Sequence, residues 1–203
     1  SRGLGDVYKR QPSECMYVGD TKTDMETGTA AKMHTVGVLW GFRDREELES
    51  NGAEKVAEKP QDLLYICEEW KMIKLVASDL DGTLLFKGAQ SLPEEIFPLI
   101  RQLKKMGILF VAASGRQYAN MKKMFRPVVD DMAFISENGG LAVYNEKVLY
   151  QDSFEQELVR EIAESIYDKE GSEFTCSTKD FYYIRPKTEH FRDLMINVVG
   201  LSL

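Results

Sequence analysis

The sequence predicts an α/β protein built on a doubly wound parallel sheet, and three observations predict it. Apolar runs of strand length alternate with amphipathic stretches of helix length along residues 12–140, the pattern of strand, crossover helix and parallel strand. Four of those runs stop in segments rich in carboxylates, hydroxyls and glycine. Beyond Gly140 the pattern changes to a hairpin, a long helix and short strands, which predicts a second, α+β lobe.

Taken in order, residues 1–10 show no apolar periodicity, and 1–11 is read as a leader outside the fold, non-native or disordered. The run 15–18 predicts a strand ending in Gly19-Asp20-Thr21-Lys22-Thr23-Asp24. A helix over 24–32, a strand over 35–39, a helix over 43–50 stopped by Asn51-Gly52 and a helix over 61–70 follow. The run 73–77 predicts the next strand, which leads into Asp79. Within 91–106, Ile96, Leu99, Ile100 and Leu103 share one helical face, and Ser91 with Glu94 has the spacing of a capping box. Gly107 ends that helix, and Pro98 inside it predicts a kink. Strands over 108–113 and 133–135 run into Ser114-Gly115-Arg116 and Ser136-Glu137-Asn138-Gly139-Gly140. In the second lobe, 141–144 and 148–150 flank Asn145-Glu146-Lys147 as a hairpin, and 155–167 is a helix with Leu158, Ile162 and Ile166 on one face. Short strands follow at 174–176 and 181–184, and the aromatic cluster Phe181, Tyr182 and Tyr183 is expected to pack against a sheet.

Composition excludes several functions. The 203 residues carry a net charge of -7, which argues against a nucleic-acid binder with its basic face. No apolar run reaches the roughly 18 residues that a spanning helix needs, and no secretory signal is visible, so a cytoplasmic location is expected. Cys15, Cys67 and Cys176 are scattered and odd in number, which suggests neither a disulfide framework nor a zinc site. His34 and His190 lack a partner at metal-ligand spacing.

The chemistry concentrates in Asp79-Leu80-Asp81-Gly82-Thr83. Residues two apart on extended backbone share a side, and Gly82 permits the sharp turn that lets Asp79 and Asp81 face one ion or phosphate. An ordinary strand end with an Asp-Gly turn would look similar. The other strand ends favour the first reading, because in an open parallel sheet ligands bind beyond the carboxyl ends of the strands. An acidic protein acting on anionic phosphates also needs a cation to offset repulsion.

Asp79-Leu80-Asp81-Gly82-Thr83, Ser114 and Gly19-Asp20 with Asp24 resemble the first, second and fourth motifs of the haloacid dehalogenase superfamily of phosphohydrolases, in permuted order. Residues 12–70, including Val36-Gly37-Val38-Leu39-Trp40-Gly41 and Asn51-Gly52-Ala53, resemble the C-terminal half of a phosphoglycolate-phosphatase-like member. Residues 71–140 resemble the N-terminal half of a Cof-type core, with Met72-Ile73-Lys74-Leu75 reading as a protein start. Residues 141–203 resemble that member's cap, truncated. The resemblance implies a Rossmann-like core in which the strands before Asp20 and Asp79 lie side by side, roughly 4.8 Å apart. It implies a Mg²⁺-dependent phosphatase of small phosphorylated metabolites. Asp79 would be the nucleophile and Asp81 the acid and base. Thr83, Ser114 and Gly115 would bind phosphate or support the loop, and Asp79, Asp81, Asp20 and Asp24 would hold the metal. The family's third-motif lysine has no match here: Lys9 lies too near Asp20, and Lys22 sits inside the metal loop. Weak activity or none is therefore expected. Two alternatives remain open, a noncatalytic chimera of two such fragments and a receiver-like phosphoacceptor domain.

Overall fold

The computed structural model describes residues 8–86, 89 and 91–197. In chain order the first part comprises β1 (Cys15–Gly19), α1 (Lys22–Ala30), β2 (His34–Val38), α2 (Arg45–Ser50), β3 (Lys55–Ala57) and α3 (Asp62–Glu69). Next come β4 (Leu75–Asp79), α4 (Ile96–Lys105), β5 (Leu109–Ala113), α5 (Tyr118–Met124) and β6 (Met132–Ser136). Then follow β7 (Leu141–Tyr144), β8 (Lys147–Gln151), α6 (Gln156–Tyr167), β9 (Thr175–Ser177), β10 (Tyr182–Ile184) and α7 (Glu189–Asn197).

Eight strands form one sheet in the order β3-β2-β1-β4-β5-β6-β7-β8, with β9 and β10 paired separately. Strands β1 to β6 run parallel, and β7 and β8 are antiparallel. The central strands carry side chains that are apolar on both faces, as a sheet covered on both sides requires. Met16, Val18, Val76, Phe110 and Ala112 pack on one face with Leu63 and Ile66 of α3, Leu99 and Leu103 of α4, and Met121 of α5. Cys15, Tyr17, Leu75, Ala77 and Val111 pack on the other face. There α1 comes close because Gly28 has no side chain: a Cβ would sit 2.5 Å from Thr35 and 3.1 Å from Tyr17. The expected doubly wound arrangement is present.

The two parts of the chain share this sheet. Strand β1 pairs with β4, from Cys15 opposite Leu75 to Val18 opposite Ser78. Helix α3 carries the chain from the outer strand β3 back to β4, past β2 and β1. Lys74 N–H donates to the Glu14 carbonyl at 2.8 Å, and their side chains form an ion pair. A chimera of unjoined fragments with bare apolar edges finds no support in this continuous core.

Several local expectations change. Helix α4 begins at Ile96 with Glu95 as its cap, so Ser91 and Glu94 do not form the capping box. Pro98 then falls in the first turn, where backbone N–H groups have no intrahelical acceptor, and no kink is needed. The short edge strand β3 was not anticipated. The hairpin β7–β8, expected to open the second lobe, extends the main sheet instead. Phe181 and Tyr183 are exposed rather than packed on a sheet. Tyr8, within the stretch read as a leader, is buried and its hydroxyl donates to the Phe134 carbonyl at 3.1 Å. Residues 1–7 lie outside the described residues. Cys15 and Cys67 are buried, and all three cysteines are free.

Candidate active site

The sheet register brings the sequence-picked residues together. Strand β1 ends in Gly19-Asp20 beside the end of β4, and Asp79 lies opposite Ala113 of β5. Ser114 therefore starts level with the loop after Asp79, tied to β6 by its N–H on the Ile135 carbonyl at 2.9 Å. Asp20, Asp79, Asp81 and Ser114 thus gather at the carboxyl ends of adjacent parallel strands, where α/β sheets bind ligands.

Asp20 is fully buried. Its Oδ1 accepts the Thr83 hydroxyl at 2.9 Å, and its Oδ2 accepts the Phe42 backbone N–H at 2.8 Å. The close approach depends on glycine, since a Cβ at Gly41 would lie 2.2 Å from the Asp20 Cβ. Trp40 Nε1 donates to the Thr83 carbonyl at 2.6 Å, so the loop after β2 clamps the loop after β4. Thr83 is buried, and its hydroxyl proton goes to Asp20. Of its two expected roles, that geometry matches support of the loop.

Asp24 is the third residue of α1 and forms a capping box with Thr21. Its Oδ2 accepts the Thr21 hydroxyl at 2.6 Å, the Thr21 N–H at 3.0 Å and the Asp20 N–H at 3.2 Å. Burial raises its pKa, with these hydrogen bonds opposing. Burial also pushes the Asp79 carboxyl up to about 7. The charge of Asp24 adds to that rise, the Leu80 N–H opposes it, and Asp20 and Asp81 add smaller contributions.

Asp81 is exposed, on a turn where Gly82 has φ +95° and its N–H donates to the Leu85 carbonyl at 2.9 Å. Arg116 holds its carboxylate in a fork, Nη2 to Oδ1 at 2.7 Å and Nε to Oδ2 at 3.1 Å. Ser114 Oγ accepts the Arg116 N–H at 3.2 Å, which leaves the hydroxyl hydrogen free to donate elsewhere. Gly115 makes room for Asn138, whose Oδ1 would lie 2.5 Å from a Cβ there.

Sequence reasoning missed Arg116, Trp40 and Phe42 as parts of this site. The signal was available: Arg116 follows Ser114-Gly115 directly, and Trp40 and Phe42 follow a strand that neighbours β1.

The donor set is all oxygen and strongly acidic, which suits a hard divalent cation. Among the described residues, no group of three or more His, Cys, Asp or Glu side chains is already arranged to hold a metal. Magnesium is commonly held by one or two carboxylates, with water and phosphate oxygens completing its shell. Asp20 and Asp79 fit such a pair, since each carboxylate oxygen has two lone pairs and the hydrogen bonds to Asp20 use one on each.

Fold and site define a Rossmann-like α/β protein with carboxylates gathered at adjacent strand ends. The sequence profile of the haloacid dehalogenase-like hydrolases matches residues 76–198, and a second profile, described as HAD-hydrolase-like, matches residues 3–64. The chain belongs to the haloacid dehalogenase superfamily of hydrolases, with a Cof-like part and a phosphoglycolate-phosphatase-like part. It is similar to the 5-amino-6-(5-phospho-D-ribitylamino)uracil phosphatase YbjI of Escherichia coli, 30% identical over 115 residues that make up 57% of this chain and 42% of that protein. It is also similar to phosphoglycolate phosphatase 1 of Saccharolobus solfataricus, 36% identical over 91 residues, 44% of this chain and 40% of that one. A solved structure from Eubacterium rectale superposes with a TM-score of 0.57 at 25% identity, covering 64% of this chain and 49% of that one. One from Geobacillus kaustophilus gives 0.51 at 27%, covering 62% and 48%. The chain spans less than half the length of each of these relatives.

Proposed function

We propose that this chain carries the site of a magnesium-dependent phosphatase for small phosphorylated metabolites, working through an aspartyl-phosphate at Asp79. The observation that carries the reading is the side-by-side ending of β1 and β4, which sets buried Asp20 next to the strand end that holds Asp79. The named phosphatases among the relatives support the substrate class. Among the described residues no helix is long and apolar enough to cross a membrane, and we place the protein in the cytoplasm.

Phosphate monoesters resist hydrolysis because their dianion repels nucleophiles, so charge neutralisation and alignment supply most of the acceleration. Asp79, Asp20 and the backbone carbonyl of Asp81, with Asp24 assisting, would hold a Mg²⁺ ion, which would supply that neutralisation. An Asp79 carboxylate oxygen attacks phosphorus while the bond to the leaving oxygen breaks. Asp81 gives that oxygen a proton, then takes one from the water that attacks the phosphorylated Asp79 and releases phosphate. Ser114, through its free hydroxyl hydrogen, and the Gly115 N–H bind the phosphoryl oxygens.

A sensitive phosphate-release assay on a generic monoester, with and without Mg²⁺, tests this against Asp79→Asn. Release that needs the metal and disappears in the variant is expected. Equal release from both proteins would end the proposal.

A further inference from the structure

Asp81 has to move protons in the reaction proposed above, yet in this structure a guanidinium fork grips both of its oxygens. A carboxylate forked in that way has both oxygens engaged, which leaves neither open to a leaving group or to water. The pair is nonetheless easy to open. The side chains of Arg116 and Asp81 are 45% and 56% exposed, and ion pairs so open to water are weak.

The backbone beneath Arg116 is fixed, and its side chain is half-exposed. Its N–H donates to Ser114 Oγ at 3.2 Å, and its carbonyl accepts the Glu137 N–H at 3.1 Å. Ser114 stands level with the end of β4, so the guanidinium starts from the loop after β5 and spans to Asp81 on the facing loop. A phosphoryl group entering between those loops presents more negative charge and more acceptor oxygens than one carboxylate. The planar fork of arginine matches phosphate as well as it matches carboxylate.

We propose that Arg116 is the phosphoryl-binding side chain of this site, resting on Asp81 until an incoming phosphoryl group displaces the carboxylate. The exchange binds the substrate and frees Asp81 in one movement. It brings a cation to the site from the loop after β5. The inference rests on the reading of these strand ends as a phosphate site.

Calorimetric titration of the whole chain with inorganic phosphate, in the presence of Mg²⁺, tests it without requiring turnover. Arg116→Gln should weaken phosphate binding by ~10- to 100-fold, the scale of a lost charge-assisted hydrogen bond. Asp81→Asn should tighten it several-fold, because the fork then has no competitor to leave. Removal of a nearby negative charge could tighten binding by itself, so the double variant decides. With Arg116→Gln already present, Asp81→Asn should bring little further gain. The same gain with and without Arg116, or unchanged affinity in Arg116→Gln, would overturn the exchange while leaving the phosphate site standing. A wild-type chain that takes up no phosphate would overturn the site itself and the exchange with it.

Discussion

Helices α4 and α6 are both amphipathic, with apolar residues at helical spacing along one face, and they end in different surroundings. Helix α4 buries Ile96, Leu99, Ile100 and Leu103 against the sheet. Helix α6 buries no residue fully, and its Leu158 is 43% exposed. The same contrast separates the strands: β4 and β5 are almost wholly buried, whereas β9 and β10 form a pair outside the main sheet. Period tells which face of a helix seeks a partner, and only the rest of the chain supplies one. The carboxylates of the candidate site all stand on the well-packed part, as the placing of a cation and a phosphoryl group requires.

The contrast can be broken most forcefully in the core. Phe110→Ala should cost about 3–5 kcal/mol of unfolding free energy in urea, the usual price of emptying a packed aromatic site. Leu158→Ala in α6 should cost less than about 1 kcal/mol by the same measurement. Similar losses at the two positions would show that residues beyond Gly140 are packed as tightly as the sheet.

Two glycines sharpen the comparison at the next scale. Gly41→Ala sets a methyl 2.2 Å from the Asp20 Cβ and should cost about 1–3 kcal/mol, together with loss of Mg²⁺-dependent release. Gly171→Ala meets nothing within 4 Å and bears only the strain of φ +72°, about 1–2 kcal/mol, with no change in the site.

The acid cluster should leave its own signature in pH dependence. The Asp79 pKa is raised to about 7 in the folded chain, against an unfolded value near ~4. Between those values the folded chain holds more protons than the unfolded one, so its contribution is complete below ~4 and is lost as pH rises through about 7. Melting in metal-free buffer should therefore occur at a lower temperature at pH 8 than at pH 5. Asp79→Asn should flatten most of that slope, and buried Asp24, whose pKa is also raised, should leave a remainder. The charges of Asp24, Asp20 and Asp81 all push the Asp79 pKa in the same upward direction. The smallest effect is expected at the join of the two parts, where Lys74→Ala removes an exposed ion pair with Glu14 and should change stability by less than about 1 kcal/mol.

Much of the site could be read from residue order. Asp79, Asp81, Ser114 and Asp20 stand just beyond apolar runs whose ends a parallel sheet brings together, and Asp24 follows from its place one helical turn beyond Asp20 and from the family resemblance. Arg116 escaped because an arginine in a polar loop has no period to betray it, and its meaning lies in Asp81, 35 positions away. Pro98 looked like a defect because the start of α4 was placed too early. Helix boundaries depend on which backbone groups find acceptors, and composition alone does not say.

The sequence by itself determined most of the strands and helices, the doubly wound class and the acidic character of the strand ends, because side-chain period and local turn residues act over short stretches of chain. Only the tertiary structure decided that β1 and β4 are neighbours, that Thr83 serves Asp20, that Arg116 grips Asp81 and that the β7–β8 hairpin joins the main sheet. Those are contacts between distant segments, set by which surfaces exclude water together, and no local pattern records them.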